Sequence, residues 1–272
     1  MNWLLAVGTA KRNLQIYLVY RWEALMKRGM KHGVCRLCLE EAMLQNSHIF
    51  PKSVSKPIRG DKGHMLEITG EGRYGTKPRQ DGYKEHLLCS ACETFCNDEY
   101  EKPFNATWQS IAPTNPWKRG QVIQAKVDYV KFKLFHLLNL FRASISTLPE
   151  LAGVQLGPHE DVLRKMILKG DAGNSQRYAV AGLVLYSQVD GSLLEANFHP
   201  KRMLRERRTS YTMFYLNTEW IVLISDGGAE KVRRLALQED GTLMLTGHPW
   251  QQHPIRDEIF SRIADKEVNP SP

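Results

Sequence analysis

Long apolar runs are missing from this 272-residue chain. A membrane-spanning helix needs about 18 or more consecutive apolar residues, and Lys126, Asp128, Lys131 and Lys133 break the most hydrophobic helical stretch well short of that. Nor does the chain open with a charged segment, a long apolar core and a small-residue cleavage site, so the expected compartment is the reducing cytoplasm. Internal repeats and low-complexity tracts are also wanting, and only 266–272 reads as a frayed tail. Cysteine is scarce, with five in all, but four of the five stand in two Cys-x-x-Cys pairs, Cys35/Cys38 and Cys89/Cys92. A disulfide framework needs an oxidising compartment, and a redox dithiol would come as a single pair beside a βαβ pattern. Two close pairs instead suit four thiolates around one zinc ion, because a two-residue spacer lets both sulfurs of a pair reach the metal at about 2.3 Å. Cys96, one helical turn past Cys92, is expected to be a packed thiol.

The chain carries 37 Lys and Arg against 29 Asp and Glu, a formal charge of +8, which favours an acidic partner, nucleic acid first. Residues 1–29 mix apolar Leu14, Ile16, Leu18, Val19 and Trp22 with Lys11, Arg12 and Arg21, the pattern of an amphipathic helix able to dock on a partner protein. A zinc module is expected over 30–104, where Gly, Pro, Lys and Arg abound and apolar runs are short. Its parts are a knuckle at 35–38, a strand at 45–50, a second strand at 85–88 and a helix over 93–102, together a treble-clef arrangement. From 105 to 265 the expectation is helices followed by a small antiparallel sheet, which makes the fold class α+β. Val122, Ile123, Val127, Val130, Leu134, Leu137, Leu138, Phe141 and Ile145 share one helical face, and 178–189, 211–216 and 220–225 are strand-like. Asp226-Gly227-Gly228 is expected to form a hairpin turn.

The segment Ser47-His48-Ile49-Phe50-Pro51-Lys52 lies between the two cysteine pairs, and Leu87-Leu88 leads into Cys89-x-x-Cys92-Glu93. In this order the motifs resemble those of zinc-stapled HNH (ββα-metal, treble-clef) endonuclease-like proteins. Arg79-Gln80-Asp81-Gly82, Tyr100-Glu101-Lys102 and Leu156-Gly157-Pro158-His159-Glu160 extend the similarity to an uncharacterised bacterial group of such proteins. The resemblance implies that His48 acts as general base on a water attacking a phosphodiester, with Mg²⁺ or Mn²⁺ held by Glu93, where the family usually has a histidine, and Asn97 one turn further on. The chain departs from the pattern at Lys84, where the middle asparagine is expected, and at Ser47, where an acidic residue often stands. Lys52, Lys56, Arg79 and Lys84 beside this site, and Arg205, Arg207 and Arg208 in the densest basic run, are candidate contacts to nucleic acid, DNA first. The alternative is a non-catalytic zinc module that docks nucleic acid or protein.

Overall fold

The computed structural model describes residues 31–58, 65–68, 76–79, 81–224 and 226–257. The helix expected over 1–29 and the tail expected at 266–272 lie outside the described residues.

The fold is α+β. Its N-terminal part is a three-stranded antiparallel sheet in the order β1-β2-β5, formed by β1 (Lys31–Val34), β2 (Glu41–His48) and β5 (Lys84–Cys89). Between β2 and β5 come a single helical turn, α1 (Lys52–Ser55), and a two-stranded ribbon of β3 (Met65–Ile68) and β4 (Thr76–Arg79). β5 runs straight into α2 (Ser90–Cys96), which packs back on β2 and β5. The chain continues through one π-helical stretch, Asn97–Glu101, into α3 (Lys102–Ile111), so the single helix expected over 93–102 is divided by a change of winding.

The second part is a six-stranded sheet in the order β6-β11-β7-β10-β9-β8. Its strands are β6 (Val122–Lys126), β7 (Val180–Tyr186), β8 (Phe198–Arg205), β9 (Arg208–Tyr215), β10 (Thr218–Leu223) and β11 (Thr242–Pro249). The sheet is larger than expected and mixed, because β11 pairs with β7 in parallel while every other pair is antiparallel. Three further expectations change. Val122 and Ile123 belong to the edge strand β6, not to the helix that follows, since Asp128 caps a fresh helix start at α4 (Tyr129–Ile145) by accepting from the Lys131 amide. Asp226-Gly227-Gly228 connects β10 to the helix α6 (Glu230–Leu235), so it is no hairpin turn. The basic run 201–208 lies on strands β8 and β9 and on the turn joining them.

α4 is buried almost all round from Phe132 to Ala143, as a helix covered on every side must be. It lies against β10 and pairs with α5 (His159–Lys169). Trp220 on β10 stands opposite Gly182 on β7, which in turn stands opposite Leu245 on β11. A Cβ on Gly182 would come within 2.9 Å of Trp220 Cζ3, so glycine here makes room for the indole at the sheet centre. One continuous apolar core runs from Cys35 and Leu37 through Phe104 and Phe135 to Trp220 and Leu245.

Candidate metal centre and the His48 face

Cys35, Cys38, Cys89 and Cys92 place their four sulfurs within 4.8 Å of one another. Two thiolates on one tetrahedral zinc stand about 3.8 Å apart, given bonds of about 2.3 Å, and Cys38 Sγ lies 4.0 Å from Cys89 Sγ. The cluster therefore can hold a metal such as zinc. The local chain explains how. After Cys38 the backbone turns through the left-handed region at Leu39 (φ 67°), closing a loop in which the Leu39 amide donates to Cys35 O and the Cys35 amide to Glu40 O. The Arg36 amide donates to Leu87 O on β5, where the pairing with β2 shifts register, and the Cys89 amide donates to Cys35 Sγ at 3.3 Å.

The thiols respond to this crowding. Burial raises the Cys35 pKa, but the backbone amides of Cys38, Cys89 and Leu37 outweigh it and bring the thiol down to about 7. Burial and the neighbouring sulfurs push Cys92 well up, and burial pushes Cys38 up. A dication relieves the repulsion among four clustered sulfurs by binding them all as thiolates. Cys96 is fully buried outside the cluster, its thiol pushed up to about 12 mainly by burial, which is the packed role expected of it.

α4 and α5 brace this centre. Arg142, 1% exposed in the last turn of α4, donates to Glu101 Oε1 at 2.6 Å and meets Glu93 Oε2 at 3.4 Å. Arg164 on α5 donates to the knuckle carbonyl Leu37 O at 3.1 Å, and Tyr100 Oη donates to Ile167 O. Just past the same end of α4, Ser146 and Thr147 donate to the Glu85 carboxylate on β5. No sequence pattern announced Arg142, because a cation inside an apolar helical run reads as a surface position until its two carboxylates are placed.

His48 ends β2 opposite Lys84 on β5. Its buried Nε2 has no hydrogen-bond partner among the described residues and lies 3.6 Å from Asp81 Oδ1. Asp81 also meets Lys84 Nζ at 2.6 Å and Lys52 Nζ at 3.6 Å. Burial, then the Lys84 ammonium, depress the His48 pKa below its ordinary value, and Asp81 only partly offsets them, so the imidazole is neutral at pH 7. Asp81 is in turn held far below the usual carboxylate range, first by its hydrogen bond from Lys84. The structure thus gathers His48, Lys52 and Lys84 with Asp81, which the sequence had left out of register. Glu93 stands on α2 with Oε2 on Arg142 and with its buried Oε1 lacking a hydrogen-bond partner among the described residues. Asn97 donates to the neighbouring Asp98. Lys56 is exposed just past α1, and Arg79 ends β4.

In the basic run the side chains have different tasks. Arg205 donates to the buried Glu219 at 2.7 Å, and Arg208 lies over Gly228, where an added Cβ would meet its Nε. Arg207 occupies the tip of the β8–β9 hairpin, exposed. His199 at the start of β8 packs edge-on against Tyr83, with ring centroids 4.7 Å apart, and Asn197 donates to Val54 O of α1, so β8 begins beside the His48 face.

No family model, no curated protein and no solved structure matches this chain. The likeness to HNH proteins therefore rests on the motif residues alone.

Proposed function

We propose that the chain is a zinc-stapled, HNH-like protein that binds nucleic acid, DNA in the first place, and cleaves or nicks its phosphodiester backbone with His48 as general base. The observation that carries this reading is the setting of His48: an imidazole whose Nε2 has no hydrogen-bond partner among the described residues, beside one carboxylate and two ammonium groups. A neutral imidazole can take the proton of a water attacking phosphorus. Lys52 and Lys84 give the face the positive charge that a phosphate requires. Asp81 Oδ1, 3.6 Å from Nε2, would orient the ring through that nitrogen and leave Nδ1 to take the proton.

Mg²⁺ or Mn²⁺, when bound, would polarise the phosphate and stabilise the departing oxygen. The donors fit unevenly. Asp81 is the carboxylate next to His48, and Glu93 offers one unpartnered oxygen but already neutralises Arg142. That ion pair favours a second reading, in which the zinc unit survives as a scaffold for docking and Glu93 serves only structure.

Plasmid nicking separates the two. Under the catalytic reading, wild-type protein nicks supercoiled plasmid in Mg²⁺ or Mn²⁺, and His48→Ala abolishes nicking while keeping DNA affinity, because a general base acts in the transition state and not in ground-state binding. Equal nicking by both proteins, or none by the wild type in either metal, moves the assignment to the docking scaffold.

A further inference from the structure

Strand β8 is an edge of the six-stranded sheet, and it starts at the His48 face, where His199 meets Tyr83 and Asn197 meets α1. Along it Lys201 and Arg202 are exposed, and the hairpin it forms with β9 ends in Glu206-Arg207. Both tip residues adopt left-handed backbone, φ 48° and 64°, the geometry of a two-residue turn that Asn-Gly fills without strain. A glutamate and an arginine in that geometry exchange backbone comfort for an arginine at the outermost point of the hairpin.

We propose that β8 and its tip form a track for a nucleic-acid backbone, so that a strand engaged at Lys52 and Lys84 runs past His199 along Lys201 and Arg202 to Arg207. The occupant rests on the nucleic-acid reading given above; the path does not. From His199 to the strand end at Arg205 the track spans about 20 Å at about 3.3 Å per residue, the length of some six base-pair steps, with Arg207 on the turn beyond. Arg205 is outside it, being committed to Glu219. An added peptide strand is the other natural occupant of a sheet edge, and β8 is built against it. Pro200 lacks an amide hydrogen, the pairing is irregular between Phe198 and Lys201, and cations line the strand.

The test measures binding of the full chain to a fluorescein-labelled 20-nucleotide DNA, single-stranded and duplex, across a potassium chloride series. Lys201→Gln/Arg202→Gln/Arg207→Gln should lower the slope of log affinity against log salt by about two to three, because each lost phosphate contact removes about 0.7 to 0.9. Lys118→Gln/Arg119→Gln/Lys169→Gln, which removes three exposed cations elsewhere, should leave the slope as it is. A hairpin variant, Glu206→Asn/Arg207→Gly, relaxes the turn, so it should melt no lower than wild type yet bind more weakly. Equal slopes for wild type and the β8 triple variant, or an equal fall with the control triple, overturn the track while leaving His48-dependent nicking to stand or fall separately. Salt-independent or absent DNA binding by the wild type, together with capture of a poly-glutamate peptide, overturns the nucleic-acid occupant here and in the preceding proposal.

Discussion

The two sheets of this molecule are held by different means. The three-stranded β1-β2-β5 sheet is small, and its two cysteine pairs converge on one point where four sulfurs lie within 4.8 Å. The six-stranded sheet instead closes over interlocking aromatic rings, with Trp220 seated between Gly182 and the His136 ring 4.0 Å away. In the first, a metal on the four sulfurs would concentrate the stability in a few atoms; in the second, it is spread over many contacts that each contribute little. The proposed chemistry sits beside this concentration. His48 is the last residue of a strand whose partner, β5, ends in Cys89, so a ligand that fixes the cysteines also fixes the register of the His48–Lys84 pair.

Breaking the metal centre has the largest expected effect. Cys35→Ser/Cys89→Ser, or chelation, removes a binding free energy that for structural zinc is on the order of 10 kcal/mol and is folding free energy for the unit around it. Hydrogen exchange should then show lost protection in β1, β2, β5 and α2 while β7, β9 and β10 keep theirs; uniform loss would mean that the regions do not differ as described. Arg142→Met comes next, at about 2–4 kcal/mol, because it leaves the half-buried Glu93 and Glu101 carboxylates without their buried cation. Denaturant unfolding measures it, and a cost under about 1 kcal/mol would show that the brace between α4 and the zinc unit is dispensable. In the distributed sheet, Gly182→Ala should cost about 1–3 kcal/mol by pressing on Leu245 and Trp220. That loss should appear in the melting temperature with the metal content unaltered. The smallest effect is electrostatic. Since the His48 pKa is lowered, the acid limb of kcat/KM for nicking should fall below pH 6.5, and Lys84→Gln should move it upward by removing the ammonium that depresses it. A limb unmoved in that variant would detach His48 from the observed pH dependence.

The metal centre was legible because its signal is local and chemical. Two thiols at fixed spacing imply the same ligand geometry wherever the strands run, and β2, β5 and α2 fall close to the segments their residue types suggested. The larger sheet was not legible in the same way. Its size and its parallel β7–β11 pair depend on contacts between segments some 60 residues apart, with α6 packed across β7 and β11. Val122, Ile123 and Val127 fit a helical face by spacing, yet alternation along Val122–Lys126 serves an edge strand equally well, and only the Asp128 cap decides between them. Arg142 escaped for the opposite reason: its meaning lies in two carboxylates more than 40 residues earlier. Asp81 likewise gains its place beside His48 only through the pairing of β2 with β5.

Cys35, Cys38, Cys89 and Cys92 are proposed to share one zinc ion, and elemental analysis of purified protein tests this most directly. One zinc per chain is the expected result for wild type and for His48→Ala alike, falling to a small fraction in Cys35→Ser/Cys89→Ser. Folded wild-type protein free of zinc, or zinc undiminished in the double variant, would contradict it.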